Sequence, residues 1–229
     1  QHALRAVSQT LEDELERRHV CVTEKIALSG DTVQLLKPRS ADALISEDDF
    51  VRDERLPYWA DLWPSSRVLA EELGRESGGG ASCLELGCGL GLVTIAALRA
   101  GYTVTATDYY ADALDFTRAN AIRAAGRAPA TRLVNWRALP DDLGTFDRVV
   151  AADVLYEREY GPLVAGVIAR VLSPYGVATV ADPGRIAAEV FVRAAESLGL
   201  RIARAPEHLF EEGAITQRIR LFELHRVAC

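Results

Sequence analysis

The stretch CLELGCGLGLVTIAALRAGYTVTATD, Cys83–Asp108, carries three glycines at alternate positions, Gly87, Gly89 and Gly91, directly after a short apolar run. An apolar run, a glycine turn and a segment of helical spacing read as strand, tight turn and helix. Glycine is needed where the backbone turns sharply and approaches a ligand with no Cβ in the way. Outward from this stretch the rhythm repeats. Strands are expected at 82–86, 102–107, 131–135, 146–152 and 176–181, and helices at 91–100, 111–125, 159–171 and 185–198. Such alternation builds a parallel sheet with crossover helices. The tail breaks the pattern: LRIARA and ITQRIRLFELHRV are two strand-like runs joined by PEHLFEEGA, and they fit an antiparallel pair at one sheet edge. Toward the N-terminus, Leu4, Val7, Leu11 and Leu15 predict an amphipathic helix within 3–19, and VCVTEKIAL and TVQLLK a hairpin about Ser29-Gly30-Asp31. PRSADALISEDDFVRDERLP reads as a loop with one turn of helix at most, followed by a helix from Pro64 that Ser65 or Ser66 can cap.

A sheet of this kind binds ligands at the carboxyl ends of its strands, near the point where strand order reverses. A dinucleotide site needs G-x-G-x-x-G, which would place its third glycine at residue 92, and that residue is Leu92. Glu85, just before the turn, would repel a pyrophosphate and suits an ammonium group. Asp108 ends the next strand, 21 residues after Gly87, where a carboxylate can accept two hydrogen bonds from a ribose diol. A nucleoside that carries an amino acid satisfies both acids, which describes S-adenosylmethionine. Cys88 reads as a small packing residue. Trp136 follows the third strand, where an indole can pack on an adenine face with Asn135 as a hydrogen-bond partner. Trp59 and Trp63 precede the first strand, and Trp59 reads equally well as a packing residue.

The fourth strand ends in Asp153-Val154-Leu155-Tyr156. A carboxylate there can orient an ammonium and help it shed its proton, and a tyrosine can shape the channel. Asp153 is also placed to cap the helix that follows. Asp182-Pro183-Gly184-Arg185 closes the fifth strand, either as a plain turn or with Arg185 as an anchor for an acidic group of the substrate.

The 229 residues fit one α/β domain over 1–229, with residues 1–60 as an N-terminal extension and 61–229 as the core. The net charge of -7, with only two lysines, argues against a nucleic-acid partner and favours a basic one, such as a lysine-bearing protein. Four cysteines without a CxxC pair predict a reduced, cytoplasmic setting. No run of 18 apolar residues suggests a membrane partner. The scattered His2, His19, His208 and His225 predict neither a metal nor a histidine base. With no methionine, the sequence is expected to start away from a native start codon, and no targeting reading attaches to its N-terminus.

Residues 82–182 resemble the seven-stranded class I methyltransferases, a Rossmann-like fold with helices on both faces and an antiparallel seventh strand inserted at the sheet edge. LWPSSRVLAEEL, LELGCGLGLVTIAAL, VNWRAL and AADVLYE together resemble the class I protein lysine methyltransferases that carry Asp-x-x-Tyr after strand four. PYWADLWP and ADPGR (181–185) are most similar to the branch that methylates the β subunit of electron transfer flavoprotein. The resemblance implies S-adenosylmethionine as cofactor, S-adenosylhomocysteine as product and methyl transfer to a protein lysine. By position it implies cofactor contacts from Trp63, Glu85, Gly87, Cys88, Gly89, Asp108, Trp136 and Ala152, with Gly91, Tyr109 and Asn135 beside them, and places Asp153 and Tyr156 toward the substrate. A methyltransferase for a small amine on the same fold is the alternative. Asp-Val-Leu-Tyr lacks the prolines of enzymes that methylate adenine in nucleic acid, and an intact Glu85, Asp108 and Asp153 set argues against a non-catalytic binding module.

Overall fold

A computed structural model describes residues 2–41, 44 and 57–227. The chain forms α1 (His2–Arg18), the hairpin strands β1 (Cys21–Leu28) and β2 (Asp31–Pro38), and α2 (Pro64–Leu73). Next come β3 (Ser82–Leu86), α3 (Leu92–Arg99), β4 (Thr103–Asp108), α4 (Ala111–Ala125), β5 (Ala130–Leu133) and β6 (Phe146–Ala152). The remainder is α5 (Tyr160–Val171), β7 (Leu172–Asp182), α6 (Ala188–Ser197), β8 (Leu200–Arg204), β9 (Glu207–Glu212) and β10 (Ile215–Arg226). Most of the segment read as a loop between Pro38 and Pro57 lies outside the described residues.

The main sheet runs β5-β4-β3-β6-β7-β10-β8, with β3 to β7 parallel and β10 antiparallel to both of its neighbours. The chain walks outward from β3 to β5 and then crosses back to β6. Strand order therefore reverses between β3 and β6, and their carboxyl ends open the crevice that holds the site. Alternation along β3 divides the core. Leu84 and Leu86 pack with Val164, Ile168 and Phe191 of α5 and α6. Cys83 packs on the other face with Leu69 and Leu73 of α2 and Ile95 of α3.

The N-terminal hairpin turns through Ser29 (φ 51°) and Gly30 (φ 79°), the pair of positive φ angles that a type I′ turn requires. Asn120 of α4 clamps it to the body. Its Oδ1 accepts from Leu36 N at 2.7 Å, and its Nδ2 donates to the carbonyls of Leu36 at 2.9 Å and Leu90 at 3.0 Å. On α1, Leu15 is buried, but Val7 is exposed. Ser8 and Glu12 face inward instead, and Glu12 pairs with Arg123 at 2.8 Å.

Three local expectations need correction. PEHLFEEGA contains a strand, β9, which pairs with residues 215–220 of β10. Its polar composition reads as a turn because pairing, and not apolar content, makes it a strand. β8 and β10 form the expected antiparallel pair at the sheet edge, with β10 between β7 and β8. β7 begins at Leu172, directly after α5, and its first residues bulge opposite Asp147. Neither Ser65 nor Ser66 caps α2. Trp63 holds the cap position with Pro64 at the first helical turn, and the Ser66 hydroxyl donates to the Trp63 carbonyl at 2.7 Å.

Candidate active site

The turn Gly87–Gly91 is built by backbone geometry. All three glycines have positive φ, and the N–H groups of Gly87 and Cys88 both donate to the Thr107 carbonyl at 2.9 Å. The turn is crowded from outside. A Cβ at Gly89 would lie 3.1 Å from the Trp59 carbonyl oxygen, and one at Gly91 would lie 2.9 Å from Thr117 Cα. Gly91 therefore serves packing against α4 as much as any ligand. Cys88 is buried, and the Thr117 hydroxyl donates to its sulfur at 3.2 Å, in keeping with a packing role.

Asp108 stands at the end of β4, 6 % exposed. Its Oδ2 accepts from Gly89 N and its Oδ1 from Tyr110 N, each at 3.0 Å, so two backbone donors orient the carboxylate toward the glycine turn. Burial raises its pKa, and these donors oppose the rise. Glu85 is buried more completely and accepts from the Thr94 hydroxyl. Burial pushes it up to about 8. Its first partner is thus a threonine of α3, a contact that spacing along the chain does not reveal.

These groups line one cleft of about 1100 Å³, open solvent at its mouth included. Gly87, Gly89, Gly91 and Cys88 line it together with Glu85 and Asp108. Trp63, Tyr109, Asn135, Trp136, Ala152, Asp153 and Tyr156 also line it, so these candidates come to the same cleft, whereas Arg185, offered as a substrate anchor, is not among its lining residues. A Cβ at Gly87 would reach within 3.7 Å of the Trp136 ring. Asn135 Oδ1 already accepts from Arg137 N at 3.0 Å, which leaves its amide nitrogen for a further contact. Trp59 lines the cleft too, but its ring is buried against Phe116, so packing is its main role.

Sequence reasoning missed several aromatic residues. Tyr58 and Tyr160 line the cleft on either side of Tyr156, with ring centroids 5.2 and 4.7 Å from it. Trp63 donates its indole N–H to the Tyr58 carbonyl at 2.9 Å. The only signal for Tyr58 was its place in the aromatic run PYWADLW, and Tyr160 gave none because it reads as an ordinary helix start.

Asp153 is the most constrained residue of the site. It has φ 58°, a left-handed conformation unusual for a residue with a side chain. Its N–H donates to the Ala181 carbonyl at 2.9 Å, which ties it to β7. The side chain does not cap α5. Instead Oδ1 accepts from Arg185 Nε at 2.7 Å, and Oδ2 accepts from the Ser65 hydroxyl at 3.1 Å. Burial first, then the neighbouring Tyr160, holds the Tyr156 phenol well above the usual tyrosine range, so it stays neutral.

Among the described residues, five acidic side chains line the cleft (Asp61, Asp108, Asp153, Glu157 and Glu85 with its raised pKa) against one cation, Arg137, which itself pairs with Glu159. A pyrophosphate would find no counter-charge at the glycine turn. A sulfonium with an ammonium group would, and the donor set therefore fits S-adenosylmethionine.

Comparison with known proteins agrees. Residues 59–196, more than half of the chain, match the family described as lysine methyltransferase. The chain belongs to that lysine methyltransferase family. A relative is the electron transfer flavoprotein beta subunit lysine methyltransferase of Xenopus laevis, 27 % identical over 56 % of this chain and 53 % of that protein. Another is the protein N-lysine methyltransferase METTL21A of Xenopus tropicalis, 33 % identical over 48 % of this chain and 53 % of that protein. The chain spans about half the length of the curated relatives it matches. Among solved structures, magnesium protoporphyrin IX methyltransferase from Synechocystis PCC 6803 with bound SAM superposes with a TM-score of 0.57. It is 18 % identical and the match covers 81 % of this chain and 94 % of that one, a likeness of fold alone. The lysine methyltransferase family thus accounts for the sheet order, the glycine turn and the cofactor. No helix among the described residues is long and apolar enough to cross a membrane.

Proposed function

We propose that this chain is an S-adenosylmethionine-dependent protein lysine N-methyltransferase over residues 1–229, with 1–60 an extension whose α1 and hairpin are bonded to α4. The observation that carries the reading is the position of Asp153 and Tyr156 on the same acidic cleft as the glycine turn and Asp108. Asp108 would hold the ribose hydroxyls, Glu85 would face the amino-acid end, and Trp136, Asn135 and Trp63 would wall the cleft, with Gly87, Cys88, Gly89, Gly91, Tyr109 and Ala152 around the ligand. When bound, S-adenosylmethionine would supply an electrophilic methyl group on its sulfonium sulfur, which leaves as a neutral thioether. The chain supplies orientation. Asp153 receives the lysine ammonium and aligns its nitrogen as the proton leaves, while Tyr58, Tyr156 and Tyr160 wall the channel around the side chain.

The name of the Xenopus laevis relative, with PYWADLWP and ADPGR here, supports the β subunit of electron transfer flavoprotein as the first substrate to test. The free Cys21, Cys83 and Cys88 support a reducing, cytoplasmic setting. The test is transfer of labelled methyl groups to an extract of the source cell, split into protein, RNA and small-molecule fractions, with Asp153→Ala as control. Base-stable label in a discrete protein band, lost in the variant, supports the proposal. Label confined to the small-molecule fraction moves the acceptor to a metabolite amine and overturns the lysine reading.

A further inference from the structure

Arg185 has a partner that the reaction does not obviously require. Its Nε lies 2.7 Å from Asp153 Oδ1, and its guanidinium carbon sits 5.3 Å from the centre of the Trp63 ring. Asp153 and Trp63 line the cleft, whereas Arg185 and Ser65 do not. Both bonds to the carboxylate therefore come from outside the cleft, and each oxygen keeps a lone pair for a group that enters from within. The arrangement is fixed from below. Asp182, fully buried at the end of β7, accepts from the backbone N–H groups of Gly184 and Arg185 at 2.8 Å each, which sets the turn from which Arg185 reaches out.

Methyl transfer needs a nitrogen lone pair, and a lysine has one only after its ammonium has lost a proton. A lone buried carboxylate works against that loss, because it stabilises the charged ammonium. A carboxylate already paired with a guanidinium presents almost no net charge, so it can align the amine without holding its proton. The charged and titratable groups around Asp153 are Arg185 and Asp182 from β7 and its turn, and Tyr156 and Glu157 from its own loop. Tyr58, Tyr160, Asp61, Glu85, Asp108 and Arg137 line the same cleft, and α2 contributes the neutral hydroxyl of Ser65. Arg185 is the cation in direct contact among them.

We infer that Arg185 is a positioning residue that holds Asp153 from behind the cleft and cancels its charge, so that the acceptor lysine is aligned yet gives up its proton to water. The inference rests on the reading of Asp153 as the lysine-facing group. It also reassigns Arg185 away from anchoring an acidic group of the substrate.

The experiment follows methyl incorporation into protein of the source-cell extract as a function of pH, for wild type, Arg185→Gln, Arg185→Met and Arg185→Lys. Cofactor binding by each variant serves as the check on folding, and the Met variant retains an aliphatic stem over Trp63 if the Gln variant is unstable. The uncharged variants are expected to move the acid limb of the profile up by about one pH unit, a loss of about tenfold at neutral pH that recovers in alkali. Arg185→Lys is expected to restore the wild-type midpoint. A uniform loss at every pH, or an unmoved profile, overturns the inference while the lysine reading stands. Wild type that binds cofactor yet labels no protein lysine overturns the lysine reading, and the role of Arg185 falls with it.

Discussion

Asp108 and Asp153 both end parallel strands of one cleft, but their surroundings divide the work between them. Asp108 is oriented by two backbone N–H groups of the cofactor turn. Replacing it with alanine removes the acceptor for the ribose and is expected to weaken cofactor binding at least tenfold, as the loss of hydrogen bonds to a charged group implies. Isothermal titration checks this, and wild-type affinity in the variant would refute the assignment. Asp153→Ala is expected to spare cofactor affinity and reduce turnover by about 10²-fold, the cost of a misaligned nucleophile. Normal turnover would remove Asp153 from the mechanism. Both aspartates were legible in the sequence because each closes an apolar run whose C-terminal end must face the crevice. Arg185 and Ser65, which decide how Asp153 presents itself, lie 32 and 88 residues away along the chain. No local pattern relates them.

The glycine turn is the element on which the two halves of the site meet. Gly91 starts α3 at φ 86° and has no room for a Cβ beside Thr117 of α4. Gly126 ends α4 at a similar φ, 64°, with open space around it. Gly126→Ala is therefore expected to cost about 1–2 kcal/mol, the left-handed penalty alone. Gly91→Ala adds overpacking and should cost about 2–5 kcal/mol in urea unfolding. Equal losses would mean that the approach of α4 does not constrain the turn. At this scale the alternation of apolar runs and helical segments placed β3 to β7 and their helices in the right order, though not the start of β7, since buried parallel strands and amphipathic helices carry distinct periods. β9 escaped that reading because its polar residues form a strand only when β10 folds back on them.

The whole molecule buries acids beside a cleft meant for a cation, and its stability should report this. Glu85, pushed up to about 8 from the ordinary 4.5, is protonated in the folded chain and ionised in the unfolded chain between those values. The unfolded state thus binds fewer protons, so stability falls as pH rises through that window, and the loss is complete above about 8. Glu85→Gln is expected to flatten this decline in thermal unfolding between pH 5 and 8 (roughly the window that linkage defines), whereas an unchanged slope would show that Glu85 is ionised in the free protein. A cationic cofactor favours the ionised acid, so its binding should release protons in the same range and tighten as pH rises. By itself the sequence determined the parallel sheet, the glycine turn and the two aspartates at strand ends, because each depends on residues adjacent in the chain or one period apart. Only the tertiary structure decided that Thr94 meets Glu85, that Arg185 and Ser65 hold Asp153 from outside the cleft, and that Tyr58 and Tyr160 flank Tyr156. Those contacts exist because separate elements converge on the carboxyl ends of β3 and β6, and convergence in space leaves no trace in local spacing.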